Sequence, residues 1–143
     1  MTEQRVTIEI NNHIAQVKLN RADKLNALDM PMFLAIRKTI KMLRKNRDIR
    51  VVIVSGNGDD FCSGLDVKSI MKSPMSMIKL LFKALPWQAN LAQVVSTGWQ
   101  DIPAPVICAI QGRCWGGGLQ IALGADFRFA SPESSLSIME GKW

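Results

Sequence analysis

The sequence lacks the features that would assign it to a class directly. Among its 143 residues no apolar run approaches the roughly 20 that a membrane-spanning helix needs, and its first residues have no secretory-signal pattern. It holds a single histidine, and its three cysteines, Cys62, Cys108 and Cys114, do not have the spacing of metal ligands. We therefore expect a cytoplasmic protein with reduced, mostly buried thiols, no bound metal and no membrane span.

Internal repeats, low-complexity segments and linkers are also missing, so we expect one domain over residues 1–143. Positive charge is in excess, with a formal net charge of +6. Much of this excess lies in one amphipathic segment that contains Arg37, Lys38, Lys41, Arg44, Lys45, Arg47 and Arg50. Because no aromatic residue interleaves these cations, a solvated helix face is favoured over nucleic-acid binding. The positive potential would also attract a phosphorylated cofactor.

Hydrophobic periodicity predicts an α/β fold. Alternating residues at 6–10 and 14–19 predict a β-hairpin with His13 beside its turn, and Asp29 with Pro31 predicts the start of an amphipathic helix. Apolar runs predict inner strands at 51–54, 106–110 and 125–130, a short strand at 135–138, and helices at 67–70, 75–85, 87–99 and 119–123, with Pro86 as a helix break. Such alternation of strands and helices is typical of α/β proteins.

Gly116, Gly117 and Gly118 precede the apolar run at 119–123. Three glycines are unfavourable inside a helix or strand, because each loses the most backbone entropy on ordering. They suit a place where the backbone approaches a ligand closely, and exposed amides at a helix start favour a developing anion. For the triplet alone, a tight turn without chemistry is an equally good interpretation.

Five short motifs follow one another in order: 26–28 (NAL), 61–66 (FCSGLD), 105–112 (PVICAIQG), 116–118 (GGG) and 126–130 (DFRFA), the last leading to Glu140. Together they resemble the enoyl-CoA hydratase/isomerase family, also called the crotonase superfamily, over nearly the whole chain. The resemblance implies a crotonase-like spiral of ββα units that acts on acyl-CoA thioesters as a homotrimer or hexamer. Coenzyme A would arrive as part of the substrate, with no permanently bound cofactor. Because family domains are nearly twice as long, residues 1–143 would be the N-terminal core portion.

The resemblance also implies roles for particular residues. The backbone amides of Leu65 and Gly117 would form an oxyanion hole that holds the thioester oxygen as an enolate forms. The positions that match the family's acyl-CoA contacts are Lys24, Leu25, Ala27, Ser63, Gly64, Leu65, Asp66, Gly116 and Gly117. For Lys24, a solvated loop lysine is an equally good interpretation.

Gln120 departs from the pattern of the family's hydratases, which carry two glutamates. Gln120 stands at the first glutamate position, and an amide cannot exchange a proton at neutral pH. The second position matches Glu140, whose apolar neighbours would raise its pKa. We therefore expect Glu140 to be the lone acid/base in the isomerisation of an enoyl-CoA double bond. The alternatives are an enoyl-CoA hydratase in which Gln120 positions water, and a non-catalytic acyl-CoA-binding or assembly subunit.

Overall fold

The computed structural model describes residues 4–83 and 89–139, and a five-stranded sheet organises them. The strands of this sheet are β1 (Val6–Asn11), β2 (Ile14–Leu19), β3 (Val51–Gly56), β4 (Val106–Ile110) and β6 (Phe127–Ala130). They lie side by side in chain order, and each pair after the antiparallel β1–β2 hairpin is parallel. A separate parallel pair consists of β5 (Arg113–Trp115) and β7 (Ser135–Ser137).

Helices connect the parallel strands. They are α1 (Met30–Lys45), α2 (Val67–Met71), α3 (Pro74–Leu81), α4 (Leu91–Thr97) and α5 (Gly117–Leu123), with 3-10 turns at Ala22–Lys24 and Gly98–Asp101. The predicted α/β class is therefore confirmed. Within the described residues, no helix has the length and apolar character needed to cross a membrane.

The predicted hairpin and first helix are confirmed. Asn12 and His13 take φ values of 48° and 66° between β1 and β2, as a two-residue hairpin turn requires. Asp29 caps α1 by accepting a hydrogen bond from the Met32 amide at 2.9 Å. One face of α1 is buried in the same core as the sheet residues Val17, Val52 and Val54, and it consists of Met32, Phe33, Ile36, Thr39, Ile40 and Leu43.

The prediction of a third inner strand at 125–130 is wrong. β6 pairs only with β4 in the described part of the chain, and all four of its residues are exposed. Phe127 is 56% exposed and Phe129 is 66% exposed. A short apolar run cannot distinguish an inner strand from an edge strand, because both suit aromatic residues on a pleated surface.

The glycine triplet also lies differently from the predicted turn. The short strand β5 leads into it, and α5 begins at Gly117, two residues before the predicted start. Gly116 has a φ of 48°, which turns the chain between these two elements. The helix predicted at 75–85 ends at Leu81. The break predicted at Pro86 lies outside the described residues.

Candidate active site

A backbone bridge brings together the two loops that the motifs single out. Cys62, after β3, and Cys114, in β5, form a parallel bridge. The Cys62 amide donates to the Arg113 carbonyl at 2.9 Å, and the Trp115 amide donates to the Cys62 carbonyl at 2.9 Å. A Cβ atom on Gly118 would clash with that Cys62 carbonyl oxygen, so the close contact between the loops requires glycine there.

A second backbone bridge, between Leu28 and Leu65, fixes the position of Leu65. The Leu28 amide donates to the Gly64 carbonyl at 2.8 Å, and the Asp66 amide donates to the Leu28 carbonyl at 3.1 Å. In this parallel bridge Leu28 forms both of its hydrogen bonds with Gly64 and Asp66, the residues on either side of Leu65. Leu65 itself forms no hydrogen bond with Leu28. The Leu65 amide is therefore left out of the ladder.

The Leu65 and Gly117 amides lie close together and have no acceptor within residues 4–83 and 89–139. Gly117 occupies the first turn of α5, where an amide has no intrahelical acceptor. A Cβ atom built on Gly117 would lie 3.9 Å from the Leu65 nitrogen, and one built on Gly64 would lie 3.5 Å from the Gly117 nitrogen. Gly64, with a φ of 96°, orients the Leu65 peptide in a way that L-residues rarely adopt. Two free donors thus lie side by side.

A cavity of about 280 Å³ adjoins both amides. Leu65 and Gly117 line it together with Gln120, which lies one helical turn after Gly117. The remaining lining residues come from the bridge residue before α1, from α1 and from α4: Leu28, Phe33, Ala92, Gln93, Val95 and Ser96. Leu28, Phe33, Ala92 and Val95 give the cavity an apolar wall, and no charged side chain of the described residues lines it. The cavity suits an apolar acyl group whose carbonyl oxygen faces the two amides.

The loop predicted to contact coenzyme A lies against the Ser63–Gly64 segment. The Ser63 amide donates to the Leu25 carbonyl at 3.0 Å, and the Cys62 thiol donates to the Asn26 carbonyl at 3.1 Å. Lys24 and Leu25 are exposed, and Ala27 is partly buried. The structure therefore places the predicted positions of the two loops next to each other.

Arg21 was missed by the sequence reasoning, although it holds these loops together. Its guanidinium donates to the Asp66 carboxylate at 2.8 Å and to the Ala27 carbonyl at 3.1 Å, and it lies 3.4 Å from the Asp29 carboxylate. Arg5 completes the cluster with a 3.0 Å contact to Asp29. A loop arginine carries no local signal for such a role, because its partners are 8 and 45 positions away in sequence.

Asp66 is ionised within this cluster. Burial alone would raise the pKa of its carboxyl group, but the hydrogen bonds from Arg21 and from the Ser69 amide outweigh burial, and the pKa lies below its usual value. The same carboxylate caps α2 through the Ser69 amide at 3.0 Å. Asp66 therefore acts as a fixed structural anion beside Leu65.

The three cysteine thiols are buried and protonated. Burial raises the pKa of Cys62 and of Cys108 to about 12 and that of Cys114 to about 11. Thiols in this state are poor nucleophiles and poor metal ligands. The prediction that the cysteines are buried is confirmed.

Glu140, the predicted acid/base, lies outside the described residues. The structure places the other predicted catalytic positions, Leu65, Gly117 and Gln120, around one cavity. It also shows Ile138 to be exposed, at 67%, and not part of an apolar pocket formed by the described residues.

Comparisons with known proteins identify the family. The enoyl-CoA hydratase/isomerase family profile matches residues 9–143. An (E)-benzylidenesuccinyl-CoA hydratase of Thauera aromatica is 35% identical over 96% of this chain and 51% of that protein. A peroxisomal Delta(3,5)-Delta(2,4)-dienoyl-CoA isomerase of Arabidopsis thaliana is 31% identical over 96% of this chain and 53% of that protein. The chain belongs to the enoyl-CoA hydratase/isomerase family.

Solved structures confirm the crotonase fold. The enoyl-CoA hydratase of Bacillus anthracis matches with a TM-score of 0.80 and 26% identity, over 97% of this chain and 52% of that one. The chain thus spans about half the length of the relatives it matches. It corresponds to the N-terminal portion of the fold.

Proposed function

We propose that this chain carries the acyl-CoA site of an isomerase-type enzyme of the family. The observation that carries the proposal is the pair of amides, Leu65 and Gly117, that have no acceptor in the described part of the chain and lie beside a cavity with an apolar wall. Removal of a proton next to a thioester places negative charge on its oxygen. Two fixed amide donors stabilise that charge, and losing one typically costs about 3–4 kcal/mol of barrier.

The proton transfer is assigned to Glu140 alone. Gln120 lines the cavity, but its amide holds a carbonyl or a water only by hydrogen bonds. Within the described part of the cavity wall no carboxylate is present to act as a second acid. One carboxylate suffices for isomerisation, because it removes a proton from one carbon and returns it two carbons away.

Coenzyme A binding is assigned to the two adjoining loops. The positions proposed to contact the acyl-CoA thioester are Lys24, Leu25, Ala27, Ser63, Gly64, Leu65, Asp66, Gly116 and Gly117. The hydrogen bond between Ser63 and Leu25 supports this grouping. A homotrimer or hexamer, a cytoplasmic location and the lack of a resident cofactor stay predictions.

Paired assays with a 3-enoyl-CoA and a 2-enoyl-CoA test the proposal. We expect conversion of the 3-enoyl-CoA to the 2-enoyl isomer, little hydration of the 2-enoyl-CoA, and loss of isomerisation in Glu140→Gln. Gln120→Glu is the matched variant, because it restores the second carboxylate of the hydratase pattern and should raise hydration. Rapid hydration of the 2-enoyl-CoA that persists in Glu140→Gln would contradict the assignment.

A non-catalytic acyl-CoA-binding subunit is the second candidate. It is favoured by Gln120, an amide that stands at a position where the family's hydratases carry a glutamate. Isothermal titration with a non-reactive saturated acyl-CoA, run beside the two turnover assays, distinguishes the candidates. Saturable binding without turnover of either enoyl-CoA would establish the binding subunit.

A further inference from the structure

The segment from the start of α2 to two residues after α3 presents an exposed apolar surface surrounded by lysines. Seven of its large apolar side chains are exposed by 44–71%, and they are Val67, Met71, Met75, Met77, Ile78, Leu81 and Phe82. Only Ile70 and Leu80 anchor the segment in the core. We call residues 67–83 the apolar–lysine segment.

The charge of the apolar–lysine segment has a single sign. It contains four lysines, Lys68, Lys72, Lys79 and Lys83, and no aspartate or glutamate. All four lysines are exposed, and none forms an ion pair with another described residue. Apolar side chains flanked by unpaired lysines form the pattern that binds the interface of an anionic membrane.

The spacing of the apolar residues fits one helix face. Met75, Ile78 and Leu81 recur every three residues in α3, so their side chains lie along one side of the helix. Leu80, the buried residue of α3, points to the core from another side. One face of α3 therefore packs against the core, and another face leaves apolar side chains exposed.

We propose that the apolar–lysine segment docks on an anionic lipid surface, with its apolar side chains in the interface and its lysines at the headgroups. A second copy of the chain fits this surface less well, because two such faces would bring lysines against lysines. The proposal does not depend on the proposed acyl-CoA chemistry. None of the four lysines and none of the seven exposed apolar residues lines the candidate active-site cavity.

Vesicle flotation of the full-length chain tests the proposal. The probes are vesicles of phosphatidylcholine alone and of three parts phosphatidylcholine to one part phosphatidylglycerol. We expect binding to the anionic vesicles only. Each lysine at an anionic surface accounts for about a fivefold change in partition coefficient, so Lys72→Gln/Lys79→Gln should lower it about 25-fold. Met75→Ser/Ile78→Ser should lower it at least about tenfold.

Two matched variants on α1 serve as controls. Arg37→Gln/Lys41→Gln removes the same charge from another exposed helix face, and Leu34→Ser/Met42→Ser removes side chains exposed by 49% and 42%. Both controls should bind the anionic vesicles within about twofold of the wild type if the segment is the docking site.

Three results would overturn the proposal. The first is no binding of the full-length chain to the anionic vesicles. The second is an equal loss of binding in the α1 controls, which would indicate general electrostatic attraction. The third is a change of oligomeric mass in Met75→Ser/Ile78→Ser with unchanged vesicle binding, which would show that a second copy covers the segment.

Discussion

Replacing Arg21 by methionine tests whether one buried guanidinium supports the loops around the candidate site. Methionine keeps most of the aliphatic volume of the side chain and removes the guanidinium charge and the hydrogen bonds that the guanidinium donates. Arg21 is well suited to this test, because its side chain is only 11% exposed and it contacts both Asp29 and Asp66. The loss of these contacts should act on stability and on the position of Leu65.

The size of the effect follows from the contacts. The 2.8 Å hydrogen bond to Asp66 joins two charged groups, and such bonds contribute roughly 1.5–3 kcal/mol. The Asp66 side chain is 20% exposed, so water partly replaces this partner. The 3.4 Å contact between Arg21 and Asp29 contributes less to stability, because Asp29 still forms an ion pair with Arg5 when Arg21 is replaced. We expect Arg21→Met to lower the free energy of unfolding by about 2–4 kcal/mol in total.

Urea unfolding across a range of pH measures this effect. Arg44→Met is the matched control, since its 3.6 Å pair with Asp101 joins side chains that are 63% and 61% exposed, and it should cost less than about 1 kcal/mol. The Asp66 pKa is lowered in the folded protein, so the contribution of Asp66 is complete above its unfolded pKa and is lost as pH falls through its folded pKa. The difference in the free energy of unfolding between the wild type and Arg21→Met should therefore become smaller in acid. Equal effects of the two variants, or a gap that widens in acid, would refute the reasoning.

Three further predictions concern packing, thiols and the helix cap. Gly118→Ala should lower the free energy of unfolding by about 2 kcal/mol or more, since its Cβ would clash with the Cys62 carbonyl oxygen. Gly98→Ala is the control in the same urea titration and should cost less, because its Cβ would meet only side-chain carbons, of Ile40 at 3.2 Å and of Val94 at 3.5 Å. A thiol reagent at mildly alkaline pH should label none of the three cysteines until urea unfolds the chain, because burial raises their pKa values to about 11–12; rapid labelling of folded protein would contradict this. Asp29→Ala should destabilise the protein by about 2 kcal/mol or more in thermal unfolding, because α1 loses its cap and Arg5 loses a carboxylate, and an unchanged melting temperature would contradict the cap's role.

Local chemistry made the hairpin and α1 predictable from sequence. The alternation of apolar and polar residues predicted β1 and β2, and Asp29 with Pro31 predicted the start of α1. These signals act over a few residues, so a single sequence contains them fully.

Longer-range features were not predictable in the same way. The edge position of β6 depends on what lies beyond it in the sheet, which the residues Phe127–Ala130 do not encode. The role of Arg21 depends on carboxylates brought together by folding. β5 is three residues long and merges with the glycine triplet, so no period-two pattern could develop.

The sequence predicted part of the candidate site, namely its glycines and its two amides, but not its cavity. The residues alone indicated only that Gly116–Gly118 suited a close approach of the backbone to a ligand. The family resemblance implied the roles of the Leu65 and Gly117 amides. The structure then shows why neither amide has an acceptor among the described residues: Leu28 forms its hydrogen bonds with the residues that flank Leu65, and Gly117 is the first residue of α5. The neighbouring cavity could not be inferred from sequence, because its wall combines α1, α4 and α5.

The most direct test of the central claim removes one amide hydrogen from the proposed oxyanion hole. Gly117→Pro removes that N–H and places the ring Cδ on the same nitrogen, at a first-turn position where helices accept proline. Gly117→Ala is the matched control, because it keeps the N–H and introduces the same Cβ contact with the Leu28 side chain. The measurement is kcat for isomerisation of a 3-enoyl-CoA by both variants. We predict that Gly117→Pro is slower than Gly117→Ala by about 100- to 1,000-fold. Equal kcat values in two folded variants would contradict the account.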